Sequence, residues 1–225
     1  MMKATNPGTT LKKDRDAGFT LIEMTMVMVI VGIVVSIMLT VMPSVIRTGK
    51  LKEARANLEK YENALKGFAI INLRLPFADS NGDGTENLGS FTGTLPFGTL
   101  GLSNGNDVWG NPVKYAVYPN LTVPPAPFNK ATLAANILAL PAPFNPGIVY
   151  ITTAIPCTVA GGTNQAYVIA SGGARDLDGV NGLFDECTGT AGTGFNAENT
   201  IQTLTYDDIV RALSISEFSA ITCSP

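Results

Sequence analysis

The stretch Gly18-Phe19-Thr20-Leu21-Ile22-Glu23, and the apolar run that carries on from it to Ile46, decides how the rest of the chain is read. The run begins abruptly at Phe19, and Glu23 is its only charged residue. About 20 apolar residues, each adding 1.5 Å of helix, suffice to cross a hydrocarbon core of about 30 Å. A secretory signal has a shorter apolar stretch of about 7–15 residues and a small-residue exit; Pro43-Ser44-Val45 is not such an exit. At about 0.3–0.6 kcal/mol for each large apolar side chain, insertion of this helix is favourable by about 6–12 kcal/mol. Met24, Met26, Met28, Met38 and Met42 lie in it and suit irregular helix–helix packing, not a metal site.

Upstream, residues 1–18 carry Lys3, Lys12, Lys13 and Arg15 against Asp14 and Asp16. A basic flank holds that end in the cytoplasm. Downstream, Arg47, Lys50, Lys52 and Arg55 reduce the charge asymmetry that sets orientation. The whole chain has 225 residues, a net charge of −3 and no histidine. That composition removes Ser-His and Cys-His catalysis and His-ligated metals, and it lacks the basic excess of a nucleic-acid binder. With no histidine to activate a nucleophile and no phosphate loop, the chain is expected not to be an enzyme. The three cysteines, Cys157, Cys187 and Cys223, form no C-x-x-C pair. In an oxidising compartment any two of them can pair, and the sequence does not say which.

With a basic leader, Gly18-Phe19, Glu23 and a long apolar helix in one place, the N-terminus resembles the prepilin-peptidase site of type IV pilins and type II secretion pseudopilins. The resemblance implies cleavage after Gly18, N-methylation of Phe19 and an assembly role for Glu23. In that scheme the Glu23 carboxylate of one subunit pairs with the Phe19 ammonium of a neighbour. A charge in the bilayer interior costs about 2.5–3.5 kcal/mol, so an unpaired Glu23 favours assembly and sets axial register. Family members often place a proline near Thr40. Here it falls at Pro43, which moves any expected kink to residues 40–43.

Beyond the apolar run, Leu51, Ala54, Leu58, Tyr61, Leu65, Phe68 and Asn72 recur at spacings of 3 and 4. They predict an amphipathic helix over 47–73, with Lys52, Glu53, Glu59, Lys60, Glu62 and Lys66 off its apolar stripe. Arg74-Leu75-Pro76 ends it. The remainder, 74–225, reads as strand and loop. Strands are expected at 113–118, 147–153 and 165–171, with a short helix inside the proline-rich insertion 119–146 and a glycine-rich loop at 171–194. The fold class is α+β: a long N-terminal stalk helix, half in the membrane and half packed on a small antiparallel sheet head with long loops, as in the pilin-like fold. Its segments are a removed leader (1–18), a membrane and filament-core helix (19–46), the amphipathic half (47–73) and a periplasmic head (74–225).

The head contributes further resemblances. Asp107-Val108-Trp109-Gly110-Asn111-Pro112 followed by Tyr115 is similar to a D-x-W-G-x-P…Y segment of major pseudopilins, with Trp109 expected as a core anchor. Tyr206-Asp207-Asp208-Ile209-Val210 resembles the Asp-Asp pair before their last strand. Related sequences often have cysteine where Phe77 stands, so a disulfide here must be arranged differently.

Two segments are candidate calcium loops, because alternating acidic and amide residues around a glycine turn supply hard oxygen ligands. Asp176, Asp178, Asn181 and Asp185, closed by Asp207 or Asp208, resemble the calcium loop of type II secretion major pseudopilins. Asp79, Asn81, Asp83 and Glu86 form a weaker D-x-N-x-D-G candidate. Its twelfth position is Ser90, where an EF-hand needs a bidentate Glu. Solvated Asx turns explain both segments equally well.

The functional expectation is a structural subunit of a pilin-like filament, preferentially a type II secretion pseudopilin. The alternative is a type IV pilin or a minor tip pilin that binds a surface or substrate. Expected partners are copies of itself and other pilins, the prepilin peptidase, the inner-membrane assembly platform and motor, and lipid before assembly.

Overall fold

The computed structural model describes residues 18–140, 144–154, 159–175, 177, 193–198, 200–203 and 206–223, and Pro43 in its backbone only. Helix α1 (Leu21–Asn72) is followed by strands β1 (Thr92–Thr94) and β2 (Lys114–Val117) and helix α2 (Lys130–Leu138). Strands β3 (Tyr150–Thr152), β4 (Thr163–Ser171), β5 (Gly194–Asn196) and β6 (Ile209–Ser214) come next, then helix α3 (Ile215–Cys223). Two units result, residues 1–48 and 49–225.

In the first unit every described side chain of the apolar run is exposed, from Phe19 at 71% to Ile46 at 55%. The helix is long and apolar enough to cross a membrane. Its many Val and Ile residues do not make it a strand: in lipid a lone segment must satisfy its own backbone groups, and only a helix does so. Around the proline the backbone stays helical. Hydroxyls of Thr40, Ser44 and Thr48 donate to carbonyls three or four residues back, at 2.7–3.1 Å, the usual way Ser and Thr support a helix near a missing N–H.

In the second unit the last part of α1 lies on the sheet through Ala54, Leu58, Tyr61, Leu65 and Ala69, all buried. The expected stripe therefore holds to Leu65, after which Ala69 replaces the half-buried Phe68. α1 ends at Asn72, one turn before Pro76, and Leu73 takes φ 50°. This left-handed cap is normally left to glycine; here the Leu73 side chain is buried in the core, which offsets the strain.

The nine-residue strand β4 is the centre of the sheet. It pairs antiparallel with β2 through Tyr167–Ala170 and with β6 through Gln165–Ser171, and its first residues pair with β3. One pair departs from the antiparallel expectation: β5 runs parallel to β3, Tyr150 opposite Gly194. A second departure is α3, where strand and loop are expected from the sequence. Ser214 and Glu217 close a capping box around its start, with reciprocal 3.1 Å bonds to each other's backbone N–H. Phe218 of α3 and Leu133 and Ile137 of α2 join the core.

Glu62 overturns its assignment to the solvated side of α1. It is 6% exposed and bridges Lys66, four residues on, and Arg211 of β6. Buried carboxylates are costly unless paired, and β6 supplies the partner. Glu62→Ala takes the shared carboxylate from Arg211 and Lys66, but both cations are part-exposed and can recruit water. The loss is expected at about 2–3 kcal/mol, below the figure for a fully buried pair. Thermal denaturation should show the midpoint lower by about 4–12 °C, and an unchanged midpoint would contradict the bridge.

Candidate functional site

Gly18, Phe19 and Thr20 precede α1 in non-helical backbone and are exposed. The Gly18–Phe19 peptide bond thus lies outside the helix and is flanked by exposed residues. Thr20 is the cap residue of α1: its carbonyl accepts from Met24 N at 3.2 Å. Its hydroxyl accepts from Glu23 N at 3.3 Å, while its own N–H donates to Glu23 Oε2 at 3.4 Å. This is a T-x-x-E capping box. Glu23 therefore has a local role beside the expected intersubunit one: its carboxylate complements the positive end of the helix. Thr20 was legible, because Thr followed three residues later by Glu before an apolar run is the signature of such a box.

The weaker calcium loop closes on protein donors. Asp79 is 1% exposed. Its Oδ1 accepts from Asn81 N and Gly82 N at 3.1 and 2.7 Å, and its Oδ2 accepts from Gly84 N at 2.7 Å. Asp83 turns outward and accepts from Thr85 N and Oγ1 at 2.7 and 2.6 Å and from Asn81 Nδ2 at 2.9 Å. Glu86 lies against the Arg74 guanidinium in a bidentate pair at 2.7 and 2.8 Å and accepts a third bond from Phe77 N. The Arg74 pair is the main cause that holds the Glu86 carboxyl below its ordinary range. Its stabilisation is therefore present above the unfolded carboxylate range and fades as pH falls through the lower, folded one. Of this set, Glu86 is committed to Arg74. Among the described residues no group of three or more acidic or cysteine side chains stands together that could hold a metal ion.

For the stronger calcium loop, Asp176, Asp178, Asn181 and Asp185 lie outside the described residues, as do Cys157 and Cys187. Asp207 and Asp208 are described, and both are 5% exposed. Ala174 N donates to Asp207 Oδ2 at 3.4 Å, so the chain leaving β4 starts its loop against this pair. Gly173 has φ 67°, and a Cβ there would run into the Asp207 carboxylate; only glycine allows that approach. Lys114 of β2 stands nearby: burial lowers its pKa and the Asp208 charge partly restores it.

The D-x-W-G-x-P segment is a turn organised by a buried carboxylate. Asp107 Oδ1 accepts from Trp109 N and Asn111 N at 2.9 and 2.8 Å, and Oδ2 accepts from the Ser171 hydroxyl at 2.7 Å. The last bond ties the turn to the end of β4. Trp109 is half-buried at the edge of the core, less enclosed than an anchor. Tyr115 is fully buried with its hydroxyl donated to the Pro76 carbonyl at 3.0 Å.

Residues 13–39 match the family model described as the prokaryotic N-terminal methylation motif. No curated protein and no solved structure matches the chain. The matched span contains Gly18, Phe19 and Glu23 and the apolar run as far as Leu39, and it supports a pilin-type N-terminus.

Proposed function

We propose that this chain is a structural subunit of a pilin-like filament: cut after Gly18 by prepilin peptidase, methylated on Phe19, stored in the inner membrane and assembled into a helical polymer. The observation that carries the reading is the exposed, capped helix start, with Glu23 as the only charge in an otherwise apolar surface. A filament whose core is built from such helices buries that surface as lipid does. The head, on the periplasmic side, faces outward.

Within that class the chain is a type II secretion pseudopilin. The Asp107 turn and the buried Asp207-Asp208 pair before β6 support this choice. Calcium would be held by Asp176, Asp178, Asn181 and Asp185 with Asp207 and Asp208, where it would neutralise two adjacent buried carboxylates. A minor tip pilin is the second reading, favoured by one observation: Val123, Phe128 and Leu138 of the proline-rich insertion are exposed at 60%, 61% and 87%. Counting copies per filament by quantitative mass spectrometry separates the two.

The intact mass of the native product tests the processing directly. It should equal residues 19–225 plus one methyl group. A product that begins at Met1 or Met2 would rule the reading out.

A further inference from the structure

Strand β6 pairs with β4 along one edge. Residues of an antiparallel strand alternate between those that bond to the partner strand and those that direct N–H and C=O away from it. Ala212 N donates to the Glu198 carboxylate at 2.6 Å, outside the ladder. The register runs without a shift from Tyr167 to Ser171, so Val210, two residues before Ala212, also turns its N–H and C=O away from β4. Among the described residues nothing meets these two groups. Val210 is 4% exposed, which places them on the floor of a recess, where an unmet amide is destabilising. That recess is a groove of about 590 Å³, wholly within the second unit. Arg55 and Arg211 line it together with Glu198 and Ile201. Arg211 is bound to Glu62, and Glu198 to Ala212 N. Arg55 is exposed and has no partner among the described residues.

We infer that this groove takes an extended acidic segment of another protein, which adds a strand to the free edge of β6 and sets a carboxylate against Arg55. An open edge is a template for pairing. Glu198 blunts it at Ala212 and leaves Val210 available. The Val210 N–H wants an acceptor and its C=O a donor, and one residue of an incoming strand supplies both. A phosphate group brings acceptors alone, so a polypeptide fits the floor better than a lipid head group does. Main-chain bonds of this kind give affinity, and the side chains beside them give the choice of sequence. Here Arg55 selects an acidic residue, and Ile201, 81% exposed, offers apolar contact at the rim. The groove's chemistry is independent of the filament assembly proposed above.

The test uses the full chain in detergent micelles and a dye-labelled synthetic peptide of alternating threonine and valine with one central glutamate. Fluorescence anisotropy reads binding, with empty micelles as the blank. Saturable binding above the blank is expected. A peptide N-methylated along its pairing edge should bind at least about tenfold more weakly. Arg55→Gln should weaken binding about threefold to fivefold, as should glutamine in place of the peptide's glutamate. The two changes together should cost no more than either alone. Amide exchange at Val210 should slow with peptide bound, while Arg211, already bonded to β4, keeps its rate. An unchanged melting midpoint for Arg55→Gln shows that its effect is not unfolding. Equal binding of the N-methylated peptide overturns strand addition, and additive losses from the two charge changes overturn the Arg55 contact. No binding above the blank overturns both. Slowing at Val210 that grows with protein concentration in the absence of peptide gives the groove to a second copy and overturns its assignment to a foreign segment.

Discussion

Glu23→Val is expected to be cleaved, methylated and inserted like the wild type, yet to enter filaments roughly a hundredfold less well. The substitution removes the only charge from the apolar run, so insertion improves. In the assembled core it leaves the Phe19 ammonium of a neighbour without its counter-ion. An unpaired charge in such surroundings costs about 2.5–3.5 kcal/mol, and each 1.4 kcal/mol is a factor of ten. The capping box supplies a control. Glu23→Val also deletes the bond from Thr20 N, so part of any loss comes from a frayed helix start. Thr20→Val removes the hydroxyl cap and keeps the carboxylate, at about 1 kcal/mol. If the two variants lose incorporation equally, capping accounts for the effect and the intersubunit pair does not exist. The readout is the fraction of each variant in sheared filaments relative to the membrane pool.

Asp79→Ala should be the most damaging single change in the head outside its apolar core. Three backbone N–H groups, those of Asn81, Gly82 and Gly84, lose their acceptor at once. Gly84 is itself buried and has nowhere else to turn. With about 1–1.5 kcal/mol for each bond and more for the buried donor, the loss is expected at about 3–4 kcal/mol. For a head of this size that lowers the melting temperature by about 6–16 °C. Asp79→Asn should recover little, because an amide NH2 would face at least one of the same donors. Calcium discriminates the two candidate loops. Any rise in melting temperature on adding calcium should persist in Asp79→Ala and disappear in Asp207→Asn with Asp208→Asn. A calcium increment that vanishes with Asp79 would return the metal to the first loop.

The stalk was legible because its pattern is local. An uninterrupted apolar run and a 3–4 stripe need no knowledge of distant residues, and Ala54 to Leu65 fall where they were expected. Glu62 was not legible for the opposite reason: its partner Arg211 is 149 residues away, and a helical wheel cannot know that a cation will arrive over its flank. The short strands β1 and β5, three residues each, carry too little alternation to register. α3 was within reach, since Ser214 and Glu217 repeat the capping signature of Thr20 and Glu23. At the first candidate loop, acidic spacing alone did not distinguish a cation cage from backbone turns. Arg74, which takes Glu86 as its partner, precedes the motif and belongs to no metal-site pattern.

The placement of β4 bears on how the head is made. A chain made from its N-terminal end presents β2 and β4 well before residues 209–214, and β6 covers most of the length of β4. Until those last residues arrive, the longest strand of the head has an open edge of unpaired amides, a template for any other extended chain. Completion of the sheet thus waits for β6, the last of the described strands in chain order. Loss of residues 209–214 would expose that edge and invite pairing with other extended chains.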